Sequence, residues 1–422
     1  MYYNIILVEV DIMLLQFNVS NFMSFKEETI LNLSAGSLIG HENYILKNEK
    51  GNALPSIAVF GANASGKSNL FKALTSSILI IRNSARLQVN DSIPWIIPFA
   101  FDHESLLKPS SFNYIFIYNE IKYEYGFSAN SKEIINEYLY AYNSQKPSLI
   151  FEREKNSYKF VESSKKELEK FAALTNPNKL FLSNATSLNC SITKPAFMWF
   201  AEYIDTYDSK DLEQMLNSSL DYNFDPNLPF FMENLLREAD INISGYSFEI
   251  EEVSQDFKTS FAKQMGIDEN RMNNLKASKI TTHHKIIKNG VEESFDLDLA
   301  NESKGTIKLF SYGPIIKKSL EKGKTIFIDE IDNCLHPMLV KYLIGLFNDL
   351  SINKNGAQLI FNTHDTNLLN LNLFRRDQIY FVEKDFNSGK SELYSLDEFS
   401  VRNTDKVDRD YLVGRFGAIP NI

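Results

Sequence analysis

Two cysteines, Cys190 and Cys334, are all that the 422-residue chain contains, and they stand far apart in unrelated contexts. That excludes a disulfide framework and a CxxC metal site, and it fits a reducing, cytoplasmic setting. No apolar run approaches the ~18 residues of a membrane span, so no membrane partner is expected. Met1–Val10 lacks the basic start, long apolar core and small-residue cleavage site of a signal peptide. Met13, just before the alternating stretch Leu15–Val19, is a second candidate start, so the first dozen residues are expected to be dispensable. Internal repeats and low-complexity tracts are lacking as well. No heptad pattern persists for the three or four repeats that a coiled-coil rod needs. Nor is there an excess of positive charge: the net charge of −10 argues against a general nucleic-acid surface, although a local basic groove stays open.

What the chain has is ordinary soluble composition, 44% hydrophobic and 23% charged, with a high aromatic share of 13% that supports packed structure over disorder. Its most specific feature is Gly61-Ala62-Asn63-Ala64-Ser65-Gly66-Lys67-Ser68, a complete G-x-x-x-x-G-K-S. The apolar run Ile57–Phe60 precedes it, and helix-compatible Asn69–Leu74 follows. Glycines let successive N–H groups turn toward phosphate oxygens, and the following helix presents its positive end. Lys67 is expected to reach the β- and γ-phosphates of ATP, and the Ser68 hydroxyl to ligate Mg²⁺.

Along the chain, alternation from Leu14 to Leu33 predicts two strands around a turn at Asn21–Phe25. Aromatic and β-branched runs between 94 and 127 predict an antiparallel meander with a turn at Asn119-Glu120. Helical spacing marks Lys165–Leu174, Lys194–Tyr207 and Phe230–Ala239. Strand-like alternation returns from 241 to 299, with a polar stretch at Asp268–Lys279. An amphipathic helix is then expected from Ser303 to about Leu320, a buried strand at Thr325–Ile328, a helix from His336 to Leu350 and a third strand at Gln358–Asn362. Strands alternating with helices after a P-loop predict an α/β fold with a mostly parallel sheet and the ligand at the strands' C-terminal ends. The expected domains are 1–130, an N-terminal half with the P-loop; 131–285, a mixed and largely helical insertion or lid; and 286–422, a C-terminal half.

The strand Thr325–Ile328 delivers Asp329-Glu330 to the sheet edge. Beside a P-loop, Asp329 is expected to hold Mg²⁺, and Glu330 to orient or deprotonate an attacking water. The third strand ends in Asn362-Thr363-His364, and a histidine there can hydrogen-bond the γ-phosphate or the water.

The order of P-loop, long insertion, Ser303-Lys304-Gly305-Thr306, Asp329-Glu330 and strand-plus-His364 resembles the ABC-type ATPases of the SMC, RecF and OLD group. The resemblance implies an ABC-type core with an antiparallel β subdomain. It gives Ser303 and Gly305 the signature role, contacting the γ-phosphate held by the P-loop of a second subunit, so that ATP joins two chains head to tail. Asn69, directly after the P-loop, joins Gly61–Ser68 as a binding residue. Several local strings resemble the AbiL-type (RloA) abortive-infection ATPases of anti-phage systems. These are Asn21–Phe25, Asp329–Pro337, Arg376–Tyr380 and Tyr411–Pro420. By analogy with related turns, Phe25 or Lys26 would meet the adenine. The chain has no LSGGQ and no evident Q-loop glutamine, which sets it apart from transporter ATPases.

OLD-type relatives carry a nuclease domain after the ATPase, whereas only residues 365–422 follow His364 here. A separate, nuclease-like effector partner is therefore expected. The alternative is a RecF-like DNA-repair ATPase, motivated by Lys304, Lys308, Lys317, Lys318, Lys322 and Lys324 around the signature helix. His283-His284 lie on a predicted strand and so point to opposite faces, which makes them a poor metal chelate.

Overall fold

The computed structural model describes residues 10–38, 40–144, 146–209, 212, 225–239, 242–252, 254–255, 258–260, 276–402 and 405–419. Residues 1–9, residues 268–275 of the polar stretch and Pro420 lie outside these. The chain divides into two compact units. The first comprises residues 1–207, 319–331 and 343–422, and the second comprises residues 208–318 and 332–342.

The first unit is built on two sheets. Aromatic and β-branched alternation produces a seven-stranded antiparallel sheet from β1 (Ile12–Ser20), β2 (Thr29–Asn32), β4 (Ser110–Tyr118), β5 (Ile121–Ala129), β6 (Ile134–Tyr142), β7 (Ser148–Glu154) and β8 (Ser157–Phe160). They pair in the order β2-β1-β4-β5-β6-β7-β8. Asn119 and Glu120, both at positive φ (50° and 63°), make the predicted hairpin turn between β4 and β5. The sheet runs through position 130 without a break. Between residues 134 and 160 the chain therefore supplies the strands β6, β7 and β8 to this sheet.

The second sheet contains the continuous apolar runs: β3 (Ser56–Phe60), β13 (Thr325–Asp329), β14 (Gln358–Asn362) and β15 (Ile379–Lys384), with β9 (Ile204–Asp208) and β16 (Ser391–Ser395) at its edges. The central strands β15, β3, β14 and β13 are parallel, as strands buried on both faces tend to be. β3, β14 and β13 consequently end side by side.

Helix α1 (Lys67–Asn83) belongs to the core shared with both sheets. Its Ser77 hydroxyl shares a 2.6 Å hydrogen bond with Tyr114 on β4, and its Phe71 ring meets Phe327 on β13 edge-on at 6.1 Å. After α2 (His103–Leu107) come α3 (Lys165–Ala172), α4 (Phe181–Ser187) and α5 (Lys194–Glu202). Trp199 of α5 stacks on Phe116 at 4.1 Å, and Phe200 meets Tyr114 edge-on at 5.0 Å. Glu137 on β6 is fully buried and accepts from the first backbone N–H groups of α4, Phe181 at 2.6 Å and Leu182 at 2.9 Å. Arg153 faces it at 3.4 Å, which compensates the buried charge. Arg375 is likewise internal: it pairs with Asp377 at 2.9 Å and donates to the carbonyls of Gly36 and Gly40.

The C-terminal string packs on β15 and β16 through α9 (Val407–Leu412) and the residues after it. Phe416 stacks on Phe381 at 5.7 Å, and Tyr411 donates to Ala418 O at 2.9 Å.

The second unit holds α6 (Leu228–Glu238), a three-stranded antiparallel sheet of β10 (Gly245–Glu252), β11 (Lys276–Lys288) and β12 (Val291–Asp298), and most of α7 (Lys304–Lys322). Helix α8 (Pro337–Asn348) begins there, with Pro337 as its first residue, where a missing N–H costs nothing.

Candidate functional site

The parallel register sets the site. β3 runs into the P-loop, β13 ends at Asp329, and β14 ends at Asn362 two residues before His364. Three strand ends thus deliver the predicted groups to one edge of one sheet.

The P-loop conformation depends on two glycines. Gly61 has φ 153°, and a Cβ there would run into Val382 O; Gly66 has φ 117°, and a Cβ there would run into the hydroxyls of Ser391 and Ser24. Ala64 also adopts positive φ (61°). Asn63 and Ala64 are exposed, Ser65, Gly66 and Lys67 are buried, and Ala62, Ser68 and Asn69 are half-buried. Lys67 Nζ turns back on its own loop, donating to Gly61 O at 2.7 Å and Ala62 O at 3.0 Å. It also lies 3.5 Å from Nδ1 of His364, which is exposed. Ser65 Oγ is buried without a hydrogen-bond partner. An ammonium resting on neutral carbonyls, an orphan hydroxyl and a loop with no room for a Cβ fit a phosphate-binding cradle.

The acid pair connects to this cradle. Ser68 Oγ donates to Asp329 Oδ1 at 3.2 Å. The same carboxylate oxygen accepts from the Asn362 side chain, and Asn362 Oδ1 accepts from Glu330 N at 2.6 Å. Glu330 holds φ 54°, an unusual conformation for a residue with a side chain. Asn362, with no exposed surface, therefore fixes the Asp329 carboxylate and the Glu330 backbone together. The sequence reading assigned it no role. The available signal was an amide ending a strand whose three middle residues, Leu359–Phe361, are apolar. Asn362→Ala should lower turnover by about 10–100-fold, the usual effect of losing a residue that orients ligands. Its nucleotide affinity, measured alongside by titration calorimetry, should change less.

Two serines also escaped the sequence reading. Ser391 Oγ donates to Ser65 O at 2.5 Å, and Ser24 Oγ accepts from Asn69 at 2.8 Å. They fasten the P-loop to β16 and to the turn after β1. The residues expected to meet adenine behave differently from that expectation. Phe25 is fully buried in the core, and Lys26 forms an ion pair with Asp102 at 2.8 Å. The hydrogen bond from Lys26 holds the Asp102 carboxyl below the usual carboxylate range.

In the second unit, Ser303 is exposed and caps α7: its Oγ accepts from Thr306 N at 3.2 Å. A Cβ on Gly305 would lie 3.1 Å from Cys334 O. Glu302, just before them, accepts from Thr282 Oγ1 at 2.6 Å and lies 2.7 Å from His284 Nε2. His283 points the other way, to Asp296 at 2.7 Å, so the two histidines do not share a ligand. No cluster of three metal-ligating side chains occurs among the described residues.

The lysine patch is reduced by local partners. Lys308 is buried and donates to Ser209 O, Lys317 pairs with Asp225 at 2.5 Å, and Lys324 pairs with Asp205 at 2.6 Å. Lys304, Lys318 and Lys322 stay on the surface. No described helix is long and apolar enough to cross a membrane.

A P-loop after a central parallel strand, an acid pair at the end of the next strand but one and a covering antiparallel sheet define an ABC-type P-loop ATPase core. The chain belongs to the family described as "AAA domain, putative AbiEii toxin, Type IV TA system", whose profile matches residues 56–370. No curated protein matches the chain. Among solved structures it is similar to the SMC head domain from Thermotoga maritima. That likeness has 13% identity and a TM-score of 0.41, over 90% of this chain and 98% of that one. It is also similar to the Smc head domain with an extended coiled coil from Pyrococcus furiosus, bound to the C-terminal domain of ScpA. There the identity is 12% and the TM-score 0.41, over 91% of this chain and 96% of that one.

Proposed function

We propose that this protein is an ATP-hydrolysing switch that joins two copies of itself through shared nucleotide sites and controls a separate, nuclease-like effector in anti-phage abortive infection. The continuous connection Ser68–Asp329–Asn362–Glu330 carries the catalytic part, because it ties the P-loop to a carboxylate pair at one sheet edge. The resemblance to AbiL-type ATPases and the family's toxin–antitoxin description support the defence setting.

In this reading the backbone of Gly61–Ser68, with Asn69, holds the phosphates of ATP, and Lys67 exchanges two carbonyl partners for phosphate oxygens. Ser68 and Asp329 would hold Mg²⁺, which when bound supplies positive charge against the phosphate oxygens. Glu330 orients the attacking water and accepts its proton. His364, beside Lys67, responds to the γ-phosphate. Ser303 and Gly305 of a second copy close the site at the positive end of α7.

Mixing two inactive variants tests the shared site. Lys67→Ala disables a P-loop, and Ser303→Arg disables a signature. Each alone should be inactive, whereas a mixture forms one intact site in each mixed dimer and should recover ATPase activity. A mixture as inactive as its components would refute shared sites.

A further inference from the structure

We infer that the three-stranded sheet of the second unit extends into an apolar docking arm whose partner is a second copy of this chain. The surface it takes there is the apolar patch beside the P-loop. This inference rests on the shared-site reading and deepens it by naming surfaces outside the nucleotide contacts.

Residues two apart on a strand lie on one face, and directly opposed residues on antiparallel strands share it. On β11, Ile280, Thr282 and His284 form the inward face. Ile280 and Thr282 are buried, and Tyr246, paired with Thr282, meets Phe310 of α7 edge-on at 5.3 Å. His284 reaches Glu302, at the start of the signature segment. The same face then continues past that segment. Ile286 follows two residues on, Phe295 pairs with His284, and Val291 pairs with Lys288. These three are 46%, 47% and 62% exposed. Asn289-Gly290, both at positive φ, turn the hairpin at its tip. The sheet thus carries its core-forming face past His284, which bonds Glu302, out to exposed positions.

A second uncovered apolar surface lies beside the other half of the site. Phe101 is 71% exposed, Phe386 91% and Ile97 49%. Ile97 O accepts from Met23 N at 2.8 Å, in the turn whose Ser24 holds Asn69. A Cβ on Gly389 would touch the Phe101 ring at 2.7 Å, two residues before Ser391, which bonds Ser65.

If the signature of one copy faces the P-loop of another, these two surfaces are brought to the same interface. The arm carries Glu293 opposite Ile286 and Lys288 opposite Val291, and Lys384 lies 5.7 Å from the centre of the Phe101 ring, so Glu293 of one copy has a cation to pair with on the other. Association would cover both surfaces and remove their exposed apolar side chains from water, a favourable contribution set against the costs of association.

The test uses full-length Glu330→Gln protein with ATP, with mass followed by sedimentation velocity across protein concentrations. Ile286→Glu combined with Phe295→Glu, and separately Phe101→Glu, should each weaken ATP-dependent association at least about tenfold, as expected of a charge placed in a desolvated apolar contact. ATP affinity of the single chain should stay unchanged, which also reports that each variant is folded. Ile287→Glu, on the opposite face of the arm, should leave association intact. Normal association of both the double variant and Phe101→Glu would overturn the arm while leaving shared sites standing. Loss in the arm variant alone would place the arm on another surface of the second copy and would equally overturn the inference. Failure of the Glu330→Gln parent to associate would overturn shared sites and the arm together.

Discussion

Lys67→Ala should abolish ATP hydrolysis, with a fall of at least about 10²–10³-fold, the effect of removing one preorganised donor to developing charge. The expectation follows from where Lys67 rests. It is buried, and its ammonium sits on Gly61 O and Ala62 O, partners it can exchange for phosphate oxygens without moving the backbone. Alanine removes the ammonium held at Gly61 O and Ala62 O. Steady-state phosphate release measures the effect. A Lys67→Ala protein retaining a tenth of normal turnover would remove this lysine from the reaction.

Glu330→Gln should lower turnover by about 10²–10⁴-fold, the usual contribution of a positioned general base, while ATP binding persists. The substitution keeps shape and removes only the proton-accepting charge. The Glu330 backbone N–H remains bound by Asn362, so the strand end is not expected to shift. Single-turnover measurements should show bound ATP surviving on the protein. Normal hydrolysis by this variant would move the base elsewhere, with His364 the next group to test.

Much of the site was legible because it is local. A buried run followed by G-x-x-x-x-G-K-S, and another ending in Asp329-Glu330, are readable from neighbours a few residues apart. What escaped is held by distant pairs. Ser391 reaches Ser65 across 326 positions, and Gln358 donates to Leu14 O across 344. No periodicity records such contacts. Asn362 read only as the end of a strand because its two partners come from a different strand. Counting lysines along the chain overestimated the basic patch, since Asp225 and Asp205 are remote in sequence and adjacent in space to Lys317 and Lys324. Phe25 was assigned to the adenine only by analogy with related turns, yet this turn folds inward and buries it. The strands after residue 130 were obscured by Tyr138, Tyr140 and Tyr142. Their outward side carries bulky half-polar rings, and Glu137 sits on the inward side, which blurs the alternation.

The central claim is that ATP changes which chains are joined. Light scattering on Glu330→Gln protein, with and without ATP and Mg²⁺, measures that directly. The account predicts a rise in mass on adding ATP to that of a dimer or a larger multiple, absent with ADP and absent when Lys67→Ala is combined with Glu330→Gln. A mass of one chain, about 48.5 kDa, under every nucleotide condition would contradict it.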